Sequence, residues 1–205
     1  MRVLCSALVA GLLVISNQAY AQVKEGSQQV GMHLGFSSPL GKGEDTGFSE
    51  KIGKMGPAFG FNYLYQYHKN VGLGGEFAYK AWGTNTVTAT GNSVDLKSSA
   101  YSFLALAKGQ LMPDEKLRPY GLFGLGFGSL SHKASAAGWT GVSKSKTGVA
   151  FAIGGGADYD INDMWSAGAE LRYSLLGTKI TDDTYTVKNG NSFDFLFNLG
   201  YKFGA

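Results

Sequence analysis

In the segment 193–203, FDFLFNLGYKF, aromatic residues and leucine occupy every second position. The positions between them carry polar side chains, glycine or a single leucine. Because successive side chains of an extended strand point to opposite faces, this pattern predicts a strand with one apolar and one polar face. Composition agrees with a strand-rich protein, since the 205 residues include 31 glycines and 13% aromatics but only 4 prolines.

The same alternation recurs in seven earlier segments, so the sequence predicts eight strands. Connections after the second, fourth and sixth segments are short and rich in turn-forming residues, whereas those after the odd-numbered segments are long and polar. Tight turns at one end and long connections at the other predict an all-β fold, an eight-stranded antiparallel up-and-down barrel. The predicted strands span residues 29–37, 57–67, 71–82, 99–112, 119–130, 147–160, 164–176 and 192–203.

The apolar face of these strands carries no charged residue, while the opposite face mixes charges with glycine and alanine. A soluble, lipocalin-like barrel would turn the apolar face inward. Glycine and alanine on the same face as charges instead favour a crowded polar interior. The predicted strands are also long enough to cross a bilayer, for which a tilted strand needs roughly 9–11 residues. Aromatic girdles at the strand ends favour the same interpretation, a transmembrane barrel whose apolar face meets lipid. The predicted girdle consists of Tyr65, Tyr67, Tyr79, Trp82, Tyr101, Tyr159, Trp165 and Tyr201.

Residues 1–21 have the pattern of a cleavable signal peptide, with Arg2, a short apolar stretch and Ala19-Tyr20-Ala21 as the cleavage site. Residues 22–205 then form a single barrel domain. The only cysteine, Cys5, lies within the signal, which excludes disulfides and thiolate sites from the mature chain. Without Arg2 the chain has 17 basic and 15 acidic residues, a balance that does not indicate a nucleic-acid partner.

Three segments, 118–131, 148–174 and 198–203, most closely match the sequence pattern of a known class of barrels. With them the chain resembles the small eight-stranded outer-membrane barrels of Gram-negative bacteria, of the OmpX/Ail and OmpA transmembrane-domain type. The resemblance implies an outer-membrane location and contact with outer-membrane lipid and lipopolysaccharide. It also implies assembly by the barrel-assembly machinery, with Tyr201 and Phe203 as the C-terminal aromatic signal. Gly204 and Ala205 follow here, whereas the family usually ends on the phenylalanine.

Charged residues on the inward face must pair, because an eight-stranded barrel is barely wide enough for side chains and an unpaired buried charge is costly. Glu76 and Lys80 share the inward face of one predicted strand, and Glu170 and Arg172 share that of another. Lys108 lies on the strand next to Glu76 and Lys80. We predict a luminal salt-bridge network that fills the interior and fixes strand register, with a gate for small ions as the alternative. The network comprises Glu76, Lys80, Lys108, Glu170 and Arg172.

The sequence contains three histidines that are candidates for catalysis: His33, His68 and His132. Lipid A deacylase barrels place a serine two positions after the histidine, and none of the three has one there. A serine nucleophile also needs a histidine and an acid within hydrogen-bond reach. The sequence carries no metal or phosphate-binding motif either. We therefore predict no enzymatic activity, no metal and no cofactor.

The four long connections, 38–56, 83–98, 131–146 and 177–191, are the predicted external loops. Trp139, Lys144 and Lys146 are candidates for binding a host or surface ligand, and an interfacial tryptophan with solvated lysines is the alternative. The resemblance favours a structural or surface-interaction role of the adhesin or resistance type, carried by these loops. A narrow gated pore is the second interpretation, and a lipid-modifying enzyme the third.

Overall fold

A computed structural model describes residues 24–40, 42–45, 48–51, 53–89, 92–136, 139–181, 185–188 and 190–204. The predicted signal peptide lies outside these residues. No helix in the described part of the chain is long and apolar enough to cross a membrane. The described strands are β1 (Gln28–Pro39), β2 (Lys42–Asp45), β3 (Phe48–Lys51), β4 (Gly56–His68), β5 (Val71–Ala81), β6 (Asn85–Ala89), β7 (Asn92–Gln110), β8 (Leu117–Ala136), β9 (Trp139–Asp160), β10 (Trp165–Gly177), β11 (Lys179–Thr181), β12 (Tyr185–Lys188) and β13 (Ser192–Phe203).

Eight of these strands close into a barrel, in the ring order β1, β4, β5, β7, β8, β9, β10, β13. Each pairs antiparallel with both neighbours, and β1 pairs with β13 from Gln28↔Phe203 to Pro39↔Ser192. Closure pairs the backbone groups that an open sheet would leave at its edges, which a lipid environment requires. The predicted eight-stranded up-and-down barrel is confirmed. We call the end with the short connections the turn end and the opposite end the loop end.

The outer surface of the barrel is the apolar face of the alternating pattern. Side chains such as Leu171, Phe195 and Phe123 are exposed, with 62%, 41% and 46% of their surface accessible. Neighbouring rings contact each other across strands, for example Phe77 and Phe103 with centroids 5.0 Å apart. The strands therefore present their aromatic face outward and their charged face to the lumen, as predicted.

Strands β7, β8 and β9 continue well past the apolar band. Their ladder reaches Val94↔Ala136 and Ala136↔Trp139, beyond the last exposed aromatics, Tyr101 and Phe127. We call residues 92–99 of β7, 129–136 of β8 and 139–147 of β9 the strand wall. Two predicted loops, 83–98 and 131–146, are thus mostly strand. Serine and threonine at outward positions resemble loop composition but fit a sheet that stands in water.

The first and fourth long connections also contain strands. β2 and β3 belong to the first connection, β11 and β12 to the fourth, and together they form a second sheet in the order β11-β12-β2-β3. The two connections meet in the pairing of β12 with β2, from Tyr185↔Asp45 to Lys188↔Lys42. The loop end therefore carries two ordered sheets, this one and the strand wall.

The structure corrects one member of the predicted girdle. Trp82 is 1% exposed and lies inside the barrel, where its Nε1 donates a hydrogen bond to Ser37 Oγ at 2.9 Å. Its position has the same parity as the luminal Lys80, whereas the outward residue Tyr79 has the opposite parity. Trp82 follows the last residue of β5, and the alternation still places its ring inward.

Candidate functional site: the filled lumen and the strand wall

The turn end of the lumen is closed by three charged side chains. Asp160 accepts from Arg118 Nη2 at 2.5 Å and lies 2.6 Å from Lys202 Nζ. Arg118 is 1% exposed, although the sequence placed it in a short turn. Because β8 begins at Leu117, the alternation carries the Arg118 side chain into the lumen. Two cations around one carboxylate make this layer positively charged.

The next layer toward the loop end pairs Lys108 with Asp158. Lys108 Nζ is 2.5 Å from Asp158 Oδ2 and lies 3.7 Å from the centroid of the Tyr120 ring. Tyr120 Oη in turn donates to Glu170 at 2.9 Å and accepts from Asn198 at 2.8 Å. The tyrosine thereby links this layer to the central one, and a cation over an aromatic face adds to its stability.

Arg172 is the centre of the lumen. Its Nε donates to Glu170 Oε1 at 2.6 Å, and its two terminal nitrogens donate to the two carboxylate oxygens of Glu76, Nη2 at 2.9 Å. β10 and β5 are four positions apart in the ring of eight, so this bidentate pair spans the lumen. All three side chains are buried. The two carboxylates hold the planar guanidinium of Arg172 in a fixed orientation across the lumen.

His33 lies beside this group, with Nδ1 3.8 Å from Glu76 Oε2. Toward the loop end, Lys80 Nζ contacts Asp194 Oδ2 at 2.5 Å and donates to Ser192 Oγ at 2.9 Å. Ser174 also donates to Asp194, at 2.7 Å. Ser192 Oγ of the same strand donates to Asp194 Oδ1 at 2.9 Å, so the acid is satisfied by a lysine and by hydroxyl groups from its own and a neighbouring strand.

An apolar layer covers the ionic layers at the loop end. Leu130 and Leu176 are 0% and 5% exposed and belong to one cluster with Trp82, Ala100 and Ala150. The backbone at Gly190 lies against this layer, since Gly190 N donates a hydrogen bond to Leu176 O at 2.9 Å. The lumen thus ends in a hydrophobic lid, which the alternating pattern does not predict.

Two small cavities lie among the luminal residues that the structure describes. One, of about 30 Å³, is lined by Glu76, Lys108, Asp158, Glu170 and Arg172 among others. The other, of about 20 Å³, lies nearer the lid and is lined by Lys80, Leu176 and again Arg172. Each is large enough for a water molecule or two. Arg172 is the side chain of the central group that lines both.

All five residues of the predicted network lie in the lumen, but the structure divides them among three groups. Arg172 joins Glu76 and Glu170, whereas Lys80 pairs with Asp194 and Lys108 pairs with Asp158. Alternation places all these side chains inside. The choice of partner depends on which strands face each other across the ring, and nothing local in the sequence specifies that.

The strand wall holds the predicted binding candidates. Lys144 and Lys146 are register partners of His132 and Leu130, so they lie on the face continuous with the lumen. Lys146 is exposed and Lys144 partly so. Trp139 is the first residue of β9, and its side chain lies outside the described part of the structure.

A serine and a histidine meet within the wall. Ser98 Oγ is 2.7 Å from His132 Nδ1, and burial lowers the pKa of the His132 imidazole, so that it is neutral beside Lys144 at neutral pH. Ser98 is 1% exposed, which keeps its hydroxyl from meeting a substrate in this conformation. Among the described residues, no group of three His, Cys, Asp or Glu side chains is arranged to hold a metal.

The candidate assembly residues face outward on the last strand. The ring of Tyr201 lies 5.0 Å from that of Trp165 and 6.1 Å from that of Phe203, measured between centroids. Trp165 is 40% exposed, as expected for the girdle. Recognition of these residues by the assembly machinery stays a prediction.

Comparison with known proteins identifies the family. The sequence profile of the outer membrane protein beta-barrel domain matches residues 7–203. Comparison with curated protein sequences gives no match. Among solved structures, Ail, the attachment invasion locus protein of Yersinia pestis, is 22% identical with a TM-score of 0.53, covering 88% of this chain and 100% of Ail.

Two further structures share the fold at lower identity. OprG, an outer membrane protein of Pseudomonas aeruginosa, is 16% identical with a TM-score of 0.60, covering 91% of this chain and 100% of OprG. The outer membrane protease OmpT of Escherichia coli is 9% identical with a TM-score of 0.54, covering 92% and 99% of the two chains. Proteins that share this fold have different printed names and roles, and at these identities the likeness concerns the fold alone. The chain belongs to the outer membrane protein beta-barrel domain family and resides in the outer membrane.

Proposed function

We propose that this protein is a closed barrel that acts at the cell surface and does not conduct solutes. The observation that carries the proposal is the Arg172 group, which spans the lumen and satisfies two buried carboxylates. The lid of Leu130 and Leu176 supports it, because an ion would have to cross an apolar layer as well as an ionic one. Opening such a lumen means leaving buried charges unpaired, which is expensive.

The strand wall is the part of the molecule that we assign to ligand binding. Barrels of this class carry short turns on the periplasmic side and longer connections outside, which places the loop end in the extracellular space. A paired three-stranded wall offers fixed side-chain positions, and preorganisation lowers the cost of binding. Its luminal face carries Lys144 and Lys146, so an anionic ligand would be the complementary class.

Ail offers a first ligand to test, because it has been solved in complex with the heparin analogue sucrose octasulfate. We expect the present protein to bind the same polyanion through Lys144 and Lys146. The double variant Lys144→Gln/Lys146→Gln should bind it about tenfold more weakly, since each exposed charge contributes roughly 0.5–1 kcal/mol. Isothermal titration of the refolded barrel in detergent measures this.

The matched control removes two lysines from the other end of the barrel. Lys24 and Lys69 are exposed at the turn end, so Lys24→Gln/Lys69→Gln makes the same change in net charge away from the wall. This control should bind like the wild type. Equal weakening in both double variants would indicate a general charge effect and contradict the assignment to the wall.

Closure of the lumen is tested by single-channel recording in planar bilayers. The wild type should be silent, and so should Glu170→Ala, because the apolar lid and the Glu76–Arg172 pair remain. Heat-modifiable gel migration verifies that each barrel has folded. Discrete conductance steps in the wild type would contradict the closed-barrel proposal.

A gated pore is the second candidate function, and a specific observation favours it. Arg172 lines both luminal cavities, so displacing its side chain would join them into one longer space. Steps that appear in Glu170→Ala but are absent from the wild type would support this candidate and assign the gate to Arg172.

A further inference from the structure

One residue of the strand wall can change its charge near neutral pH. His132 of β8 is the register partner of Lys144 on β9, and Leu130, the next residue on the same face of β8, is the partner of Lys146. Residues directly opposite in an antiparallel pair have Cβ atoms roughly 4.5–5.5 Å apart, and diagonal neighbours are about 7–8 Å apart. His132 is therefore a direct neighbour of Lys144 and a diagonal neighbour of Lys146, the two lysines assigned to ligand binding.

The imidazole of His132 is held by a hydroxyl group that suits both of its charge states. Ser98 Oγ is 2.7 Å from His132 Nδ1. A hydroxyl can donate a hydrogen bond to an unprotonated ring nitrogen and accept one from a protonated nitrogen. Burial lowers the pKa of the imidazole, so His132 is neutral at neutral pH and becomes charged in mildly acidic solution. The charge can therefore change while the Ser98 contact remains.

In the strands that adjoin His132, the charged residues of the luminal face are lysines. The sequence of the strand wall contains one acidic residue, Asp95, and the register partner of Asp95 is Ser135, on the outer face. Serine and lysine are the polar neighbours on the luminal face, and β11, which lies next to β9, carries a lysine and no acid. These residues are Ser98, Lys144, Lys146 and Lys179. A proton on His132 thus adds charge to a surface that is already positive, which a bound anion would make favourable.

We propose that His132 is a proton-dependent third cation of the anion-binding site on the strand wall, which therefore binds polyanions more tightly in acidic than in neutral surroundings. The inference rests on the ligand-binding role proposed for Lys144 and Lys146 and adds its regulation. An anion held by two lysines favours the charged form of a neighbouring imidazole, so binding and protonation strengthen each other. The complex takes up a proton from solution as it forms, and that proton binds to a ring nitrogen of His132.

Isothermal titration with sucrose octasulfate at about pH 7.5 and about pH 5.5, on either side of the ordinary histidine pKa, tests the inference on the refolded barrel in detergent. Lysine side chains and sulfate groups keep their charge over this range. Wild-type affinity should be about fivefold higher at the lower pH, as expected for one added charge about 7 Å from the anion in a partly exposed site. Titration at about pH 6 in two buffers with different heats of ionisation should show about half a proton taken up per complex.

His132→Asn removes the titrating group and keeps a partner for Ser98. Asparagine offers a polar atom close to the position of Nδ1 but cannot take up a proton. The affinity of this variant should match that of the wild type at the higher pH and should not rise at the lower one. His68→Gln is the matched control, because His68 is exposed at the turn end, and it should keep the wild-type pH dependence. A rise in affinity that persists in His132→Asn, or that is lost in His68→Gln, would overturn the inference.

The lysine variant separates this inference from the proposed function. If Lys144→Gln/Lys146→Gln binds like the wild type at both pH values, or the wild type does not bind at either, the assignment of ligand binding to the wall is wrong, and the role of His132 with it. If the lysine variant binds weakly and wild-type affinity is the same at both pH values, the wall binds the ligand and only the role of His132 is wrong. Wild-type binding without proton uptake would also overturn the inference, and that measurement does not depend on the folding of a variant.

Discussion

Arg172→Met should reduce the stability of the barrel by about 3–5 kcal/mol, because it leaves Glu76 and Glu170 buried without their cation. That is a large share of the roughly 5–15 kcal/mol by which folded domains are usually stable. We expect a low yield of the heat-modifiable folded band after refolding into vesicles. Equilibrium urea titration, followed by the same band, measures the loss for the fraction that folds.

A compensated variant separates charge from packing. Glu76→Gln/Glu170→Gln added to Arg172→Met removes both orphaned carboxylates, and replacing a whole buried ionic group by neutral residues is often tolerated. The triple variant should therefore recover much of the lost stability although it lacks every ion pair of the central layer. A triple variant as unstable as Arg172→Met would show that the shape of the arginine matters more than its charge.

The period-2 alternation predicted most of this fold because it is a local property. Each of the eight segments reveals its faces without reference to the others, and a closed barrel is the arrangement that leaves no unpaired edge in lipid. The length of β7, β8 and β9 could not be predicted from the alternation in the same way. Their outward residues beyond the membrane, such as Ser131 and Thr147, are common both in loops and in water-exposed strands. Only the backbone pairing between these strands shows that the segments are strand.

Pairing within the lumen could be predicted only where it is local. Glu170 and Arg172 are two residues apart and share a face, which brings them into contact. The second acid of Arg172 comes from the opposite side of the ring, and the partner of Lys80 is Asp194 of β13. These contacts depend on strand tilt and register around the whole barrel.

Trp82→Ala is expected to reduce stability by about 3–5 kcal/mol, because the indole is fully buried in the lid and truncating a buried tryptophan leaves a cavity. The loss also leaves the hydroxyl of Ser37 without its indole donor. Trp165→Ala is the matched control, with the same residue type and the same change on the lipid-facing surface, where the indole is 40% exposed. Urea titration in vesicles should give a clearly smaller loss for Trp165→Ala.

Fluorescence quenching tests the same assignment without truncating a buried ring. Brominated lipid should quench the emission of Trp165 strongly and that of Trp82 weakly, because only the former contacts acyl chains. The contribution of each is obtained by difference from Trp82→Phe and Trp165→Phe. Aqueous acrylamide should also fail to reach Trp82, since the lid and the ionic layers enclose it. Strong quenching of Trp82 by brominated lipid would show that this side chain faces lipid, as first predicted, and would contradict its place in the hydrophobic lid.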